Sequence, residues 1–92
     1  MKKSIDEKEP DKIVRPAIID SVPSFVEFVS AQAFELGMED EKVKNIGFAI
    51  QEVVQNIIEF ACPEGKGEIT ISCELVNSGA MLIHIWDTGK PF

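Results

Sequence analysis

Glu52 and Asn56, four positions apart, have side chains that could do chemistry. Residues at this spacing share one side of a helix. A carboxylate can accept a proton from a hydroxyl group or from water. An amide oxygen is a hard, neutral ligand that suits Mg²⁺ shared with phosphates. The same pair also fits an ordinary solvated helix face, so the spacing makes the two residues candidates for a general base and a metal ligand.

A second group of candidates follows the last apolar run, where Asp87 and Gly89 precede Pro91 and Phe92. An ionised aspartate can accept a hydrogen bond from the exocyclic amine of adenine. A glycine two positions later would let a flat base approach the backbone. Asp, Gly and Pro also favour turns that end strands. These residues therefore fit either an adenine site or an ordinary turn after a strand.

The strongest apolar pattern predicts the helix that carries Glu52 and Asn56. This helix begins at Glu39 or Asp40 and ends at Cys62-Pro63, because the residue before a proline avoids the α region. Its apolar residues lie within about 140° on a wheel of 3.6 residues per turn: Val43, Ile46, Ile50, Val53, Val54, Ile57, Ile58 and Ala61. Glu52 and Asn56 point away from the middle of this stripe.

The other elements are predicted from alternation, capping and turn residues. In chain order they are a flexible charged tail over 1–11, an edge strand over 12–19 that contains Pro16, a helix over about 22–36, and strands over 69–76 and 80–86 joined by a turn. The last strand has apolar residues on both faces, which predicts a more central position. The order β-α-α-β-β indicates an α+β fold with two helices on one face of a mostly antiparallel sheet.

Composition excludes several classes of function. The 92 residues have a net charge of −7, which repels phosphate backbones and disfavours nucleic acid as a direct partner. No apolar run approaches the ~18 residues of a membrane span, and the N-terminus does not resemble a signal peptide. We therefore expect a cytoplasmic protein. Cys62 and Cys73 are expected to be reduced, buried thiols, although a disulfide between them stays open.

The segments GFAIQEVVQNIIEFA and IWDTGKPF resemble the N box and the first glycine box of the GHKL (histidine kinase-like) ATPase superfamily. The likeness spans residues 12–92 and is closest to the anti-sigma-factor serine/threonine kinases. It implies a partial Bergerat (GHKL) ATPase fold that binds ATP and Mg²⁺. By this resemblance Glu52 is the general base, Asn56 the Mg²⁺ ligand, Asp87 the group that binds the adenine amine, and Gly89 the residue beneath the base.

The resemblance also implies a regulatory partner, either a sigma factor or an anti-anti-sigma protein that is phosphorylated on serine. Two departures from the family pattern bear on activity. Phe60 stands where relatives often have His or Asn, and residues 1–92 lack the lid, the second glycine box and two further strands. We therefore expect little or no kinase activity from these residues alone. The alternative is a non-catalytic module for protein interaction or for dimerisation through an exposed sheet edge.

Overall fold

The computed structural model describes residues 11–62, 64–76 and 80–88, which form two helices and a three-stranded antiparallel sheet. The elements are β1 (Asp11–Pro16), a 3-10 turn (Ile19–Ser21), α1 (Val22–Glu35), α2 (Asp40–Phe60), β2 (Glu68–Leu75) and β3 (Met81–Asp87). The predicted α+β fold with the order β-α-α-β-β is therefore confirmed. Gly89 lies outside the described residues, as do most of the predicted tail and the turn between β2 and β3.

The sheet has the order β1-β2-β3, and both pairs of strands are antiparallel. The more central position predicted for β3 is wrong among the described residues, because β2 lies between the other two strands. Apolar residues on both faces of β3 caused the error. On the face away from the helices, Leu82 is 46% exposed and Trp86 is 53% exposed, so these two side chains are not buried by a covering layer.

The bounds of β1 differ from the prediction at both ends. The strand begins at Asp11, which the prediction placed in the tail, and it ends at Pro16 instead of residue 19. The chain turns directly after Pro16, whose carbonyl accepts the Ile18 N–H at 2.9 Å. The next residue, Ala17, is fully buried and donates its N–H to the Gly67 carbonyl at 3.0 Å. The position of Pro16 at the end of an edge strand agrees with the prediction.

The core lies between the helices and one face of the sheet. Its largest fully buried side chains are Phe25, Val29, Val54, Ile69 and Ile71. α1 and α2 approach closely at Gly47, where a Cβ atom would lie 3.3 Å from the Ser30 Oγ. This packing buries one side of α2 and leaves its other side exposed. No helix in the described ranges is long and apolar enough to cross a membrane.

Candidate functional site

α2 presents both of its predicted functional residues to solvent. Glu52 and Asn56 are exposed, whereas Ile50 and Val54 are buried on the side that faces the core. An α-helix turns by 3.6 residues, so the carboxylate and the amide lie about one turn apart on neighbouring parts of the surface. The apolar spacing of α2 produces this orientation, because burial of one stripe fixes which way the polar residues point.

Asp87 is the last residue of β3, and its place in the sheet determines the side toward which it points. It pairs with Ile69, the buried second residue of β2. Directly paired residues of antiparallel strands project from the same face, and successive residues alternate between faces. Because Ile69 and Ile71 form the core beneath the helices, the Asp87 side chain lies on the helix-covered side, at one end of the sheet. Asp87 itself is exposed.

Cys62 shows which end of α2 lies near Asp87. The pKa of the Cys62 thiol is raised first by burial and second by the negative charge of Asp87. Cys62 comes two residues after the end of α2 at Phe60, so Asp87 is close to the C-terminal end of this helix. At a rise of about 1.5 Å per residue, Asn56 lies about 6 Å before that end and Glu52 about 12 Å before it. The fold thus places Asp87 and Asn56 toward the same end of α2.

The start of β2 and the end of β3 are joined by contacts that sequence reasoning missed. The Glu68 N–H donates to the Thr88 Oγ1 at 2.9 Å, and the Thr88 N–H donates to the Glu68 carbonyl at 3.1 Å. Gly67 lies against the same hydroxyl. Thr88 directly follows Asp87 in the sequence, and this position was the feature of the sequence that could have indicated a role for Thr88. The contact depends on the register of β2 and β3, which the sequence does not reveal.

Phe60 lies four residues after Asn56 and therefore on the same side of α2. Its ring is 60% exposed, at the helix end close to Cys62 and Asp87. An aromatic ring at this position offers apolar surface and no hydrogen bond to a phosphate or to metal-bound water. Its effect on nucleotide binding stays a prediction.

The donor atoms on α2 fit Mg²⁺ of the kind that is shared with a ligand. Within the described ranges no group of three or more His, Cys, Asp or Glu residues could hold a metal ion. A metal site built from these side chains alone is therefore absent from that part of the chain. Mg²⁺ commonly takes one or two protein oxygens and completes its shell with waters and phosphate oxygens. The exposed amide oxygen of Asn56 could supply one such ligand.

A separate groove runs between α1 and α2. It is lined by Val22, Pro23, Val26, Glu27 and Gln51. On a wheel of 100° per residue, Gln51 and Asn56 point about 140° apart. The groove therefore lies on another side of α2 from Asn56, and none of the predicted functional residues lines it.

Comparison with known proteins identifies one family. The sequence model of the histidine kinase-like ATPase domain matches residues 16–92, which is most of the chain. No curated protein sequence matches the chain.

Proposed function

The chain belongs to the family of histidine kinase-like ATPase domains, and from this premise we propose that it is a cytoplasmic, ATP-binding regulatory domain of the anti-sigma-factor serine/threonine kinase type. The observation that carries the proposal is the position of Asp87. Its side chain lies on the helix-covered side of the sheet, near the C-terminal end of the helix that carries Asn56 and Glu52. One nucleotide could reach groups from both elements.

Each residue has a role that follows from its chemistry. The Asp87 carboxylate would accept a hydrogen bond from the exocyclic amine of adenine. Gly89, which lies outside the described residues, is assigned by the family resemblance alone as the glycine that lets the flat base approach the backbone. The Asn56 amide oxygen would hold Mg²⁺, which would offset phosphate charge. An ion of this kind is needed because the protein has a net charge of −7 and repels a free triphosphate.

Glu52 would serve as the general base in phosphoryl transfer to a partner, a step that we expect to be weak or absent in residues 1–92 alone. The serine oxygen of a regulatory partner attacks the γ-phosphorus of ATP, and the bond from that phosphorus to the bridging oxygen breaks, so that ADP leaves. The Glu52 carboxylate accepts the proton of the serine hydroxyl. The partner is a protein of the anti-anti-sigma type, and a sigma factor is the second partner. The acidic surface suits a basic region on either protein.

The proposal is tested by calorimetric titration of the protein with ATP, with and without Mg²⁺. We expect saturable binding that Mg²⁺ strengthens. Asp87→Asn should weaken binding by about tenfold or more, because a hydrogen bond to a charged group contributes about 1.5–3 kcal/mol. Glu27→Gln is the matched control, since it removes one exposed carboxylate from α1, away from the site. Asn56→Ala should reduce the gain from Mg²⁺.

Two results would contradict the proposal. One is the absence of binding up to millimolar ATP. The other is equal binding by Asp87→Asn and Glu27→Gln. Phosphorylation of a partner serine is measured separately. Residues 1–92 alone should transfer little or no phosphate, and transfer that Glu52→Ala abolishes would contradict this expectation.

A second candidate function is a non-catalytic module for protein interaction or dimerisation. The observation that favours it is β3, which lies at an edge of the described sheet and has two partly exposed apolar side chains, Leu82 and Trp86. Sheet edges of this kind can pair with a strand of another chain. Light scattering over a range of concentrations should then show dimers, and Leu82→Lys should weaken them. A monomer at all concentrations would exclude self-association through this edge.

A further inference from the structure

The ladder between β2 and β3 has a regular alternation that predicts its last pair. In antiparallel strands, directly opposed residues alternate between pairs that exchange two main-chain hydrogen bonds and pairs that exchange none. The Val76 N–H donates to the Ala80 carbonyl at 3.0 Å, so this pair is of the hydrogen-bonded kind. Counting along the register, Ile69 and Asp87 form a pair without hydrogen bonds. Glu68 and Thr88 form the next hydrogen-bonded pair.

One of the two bonds expected between Glu68 and Thr88 has a different acceptor. The Thr88 N–H donates to the Glu68 carbonyl at 3.1 Å, as the alternation requires. The Glu68 N–H, however, donates to the Thr88 hydroxyl oxygen at 2.9 Å. The side chain thus accepts the bond that the Thr88 carbonyl would receive in a regular ladder. The ladder is closed at its last position by a hydroxyl group.

Gly67 makes this closure possible. A Cβ atom on Gly67 would lie 2.9 Å from the Thr88 Oγ1 and 3.5 Å from the Cys62 Sγ. The first distance is too short for a real side chain, so the hydroxyl occupies space that only a glycine leaves open. The Gly67 carbonyl also accepts the Ala17 N–H at 3.0 Å. The ends of all three strands therefore meet at Gly67 and Glu68.

These contacts hold the residue before Thr88 in place. Asp87 lies between Trp86, which pairs with Thr70 in the ladder, and Thr88, whose hydroxyl makes the last contact. Its side chain lies on the same side of the sheet as Cys62. We propose that Thr88 is a positioning residue, whose hydroxyl closes the β2–β3 ladder and thereby fixes the Asp87 carboxylate where adenine would bind. The proposal rests on the proposed function, because it assigns Thr88 a purpose only if Asp87 binds the base.

Two substitutions separate the hydroxyl from the shape of the side chain. Thr88→Val keeps the branched shape and removes the acceptor, whereas Thr88→Ser keeps the acceptor and removes a methyl group. Calorimetric titration with ATP should show about tenfold weaker binding for Thr88→Val, as expected for the loss of one hydrogen bond. Thr88→Ser should stay within about twofold of the wild-type protein. Thr88→Ala replaces Thr88→Val if the latter does not fold.

A double-mutant cycle tests whether Thr88 acts through Asp87. In the background of Asp87→Asn, Thr88→Val should change ATP affinity by less than about twofold, because the group that it positions is already lost. A purely structural role would instead give the same loss in both backgrounds. Hydrogen exchange of the Glu68 amide reports the contact directly. The amide should lose protection in Thr88→Val and keep it in Thr88→Ser.

The outcomes distinguish this inference from the proposed function. If the wild-type protein binds no ATP, the proposed function is wrong and the role of Thr88 falls with it. If the wild-type protein binds ATP and Thr88→Val binds equally well, the proposed function stands and the positioning role is wrong. Equal losses in the two backgrounds, or unchanged protection of the Glu68 amide in Thr88→Val, would also overturn the positioning role.

Discussion

At the scale of single residues, adding one methyl group at Gly67 should lower both the stability of the protein and its affinity for ATP. The φ of +105° at Gly67 is a conformation that side chains rarely adopt, and a Cβ atom would collide with the Thr88 hydroxyl. Gly67→Ala should therefore lower the free energy of unfolding by about 1–3 kcal/mol, measured by urea denaturation. It should also weaken ATP binding, because Thr88 must move.

Gly65→Ala is the matched control for this prediction. Gly65 has a φ of +72°, but a Cβ atom there would meet only the Ile18 Cγ2 at 3.4 Å, an ordinary contact. The expected loss is about 1 kcal/mol from the left-handed backbone alone, with no effect on ATP binding. Equal losses of stability and affinity in the two variants would contradict the importance of the Thr88 contact.

The two buried thiols should make the stability of the protein depend on pH. Cys62 and Cys73 are free and buried, as expected from the sequence. Burial raises the pKa of both above the reference value of 9.0, with smaller contributions from Asp87 and from Asp11 respectively. The thiols of the unfolded chain therefore lose their protons first, so the unfolded state binds fewer protons at alkaline pH. The free energy of unfolding should fall as the pH rises above about 9.

Urea denaturation at several pH values between 7 and 10.5 measures this fall. A variant with both Cys62→Ala and Cys73→Ala is the control, because lysines and other groups also titrate in this range. Its stability should fall less steeply above pH 9 than that of the wild-type protein. Parallel curves for the two proteins would show that the raised thiol pKa values do not contribute.

Residue types showed part of the candidate site in advance. A carboxylate and an amide one turn apart, and an aspartate after an apolar strand, identified Glu52, Asn56 and Asp87 as candidates. Their roles in ATP binding stay predictions. Thr88 and Gly67 could not be found in this way, because their relation depends on which residues of β2 and β3 pair. A shift of register by one residue would separate the Thr88 hydroxyl from the Glu68 N–H.

At the scale of elements, α2 has two adjacent valines with opposite surroundings. Val54 is fully buried, whereas Val53 is 41% exposed on the side toward Asn56. Val54→Ala should cost about 2–3 kcal/mol, because it removes buried methyl groups and leaves a cavity. Val53→Ala should cost less than about 1 kcal/mol, since less apolar area is lost and alanine has the higher helix propensity.

Thermal denaturation of the two valine variants makes the comparison. For a chain of this size, the loss expected for Val54→Ala corresponds to roughly 10–20 °C in Tm. Similar decreases of Tm in both variants would mean that α2 is rotated relative to the described packing, and that Asn56 does not face solvent as proposed.

The elements also show why sequence patterns predicted some bounds and missed others. α2 was predicted almost to the residue, because an apolar stripe repeated over about five turns and the Cys62-Pro63 stop agree with one another. The C-terminal end of β1 was predicted three residues too late, because the apolar residues after Pro16 suit a strand, whereas the chain leaves the sheet there and begins the 3-10 turn at Ile19. The position of β3 was misjudged because exposed apolar residues and buried ones look alike in a sequence.

At the scale of the whole molecule, the acidic charge works against the nucleotide that the family binds. The net charge of −7 gives a negative potential around the protein. The C-terminal end of α2, close to Asp87, adds the negative end of a helix dipole. If Asp87 binds adenine as proposed, adenine binding and phosphate repulsion act in opposite directions on the same ligand. Mg²⁺ reduces the repulsion at the phosphates, and dissolved salt should reduce it over longer distances.

Varying the ionic strength tests whether repulsion of the phosphates weakens ATP binding. The screening length falls from about 30 Å at 0.01 M salt to about 8 Å at 0.15 M. Binding of ATP without Mg²⁺ should become severalfold tighter over this range, because salt screens the repulsion between two anions. Adenosine is the matched control, since it has the same base and no phosphate charge, and its affinity should not change. If salt instead weakens ATP binding, a local positive group must contact the phosphates, and the repulsion inferred from net charge would be wrong at the site itself.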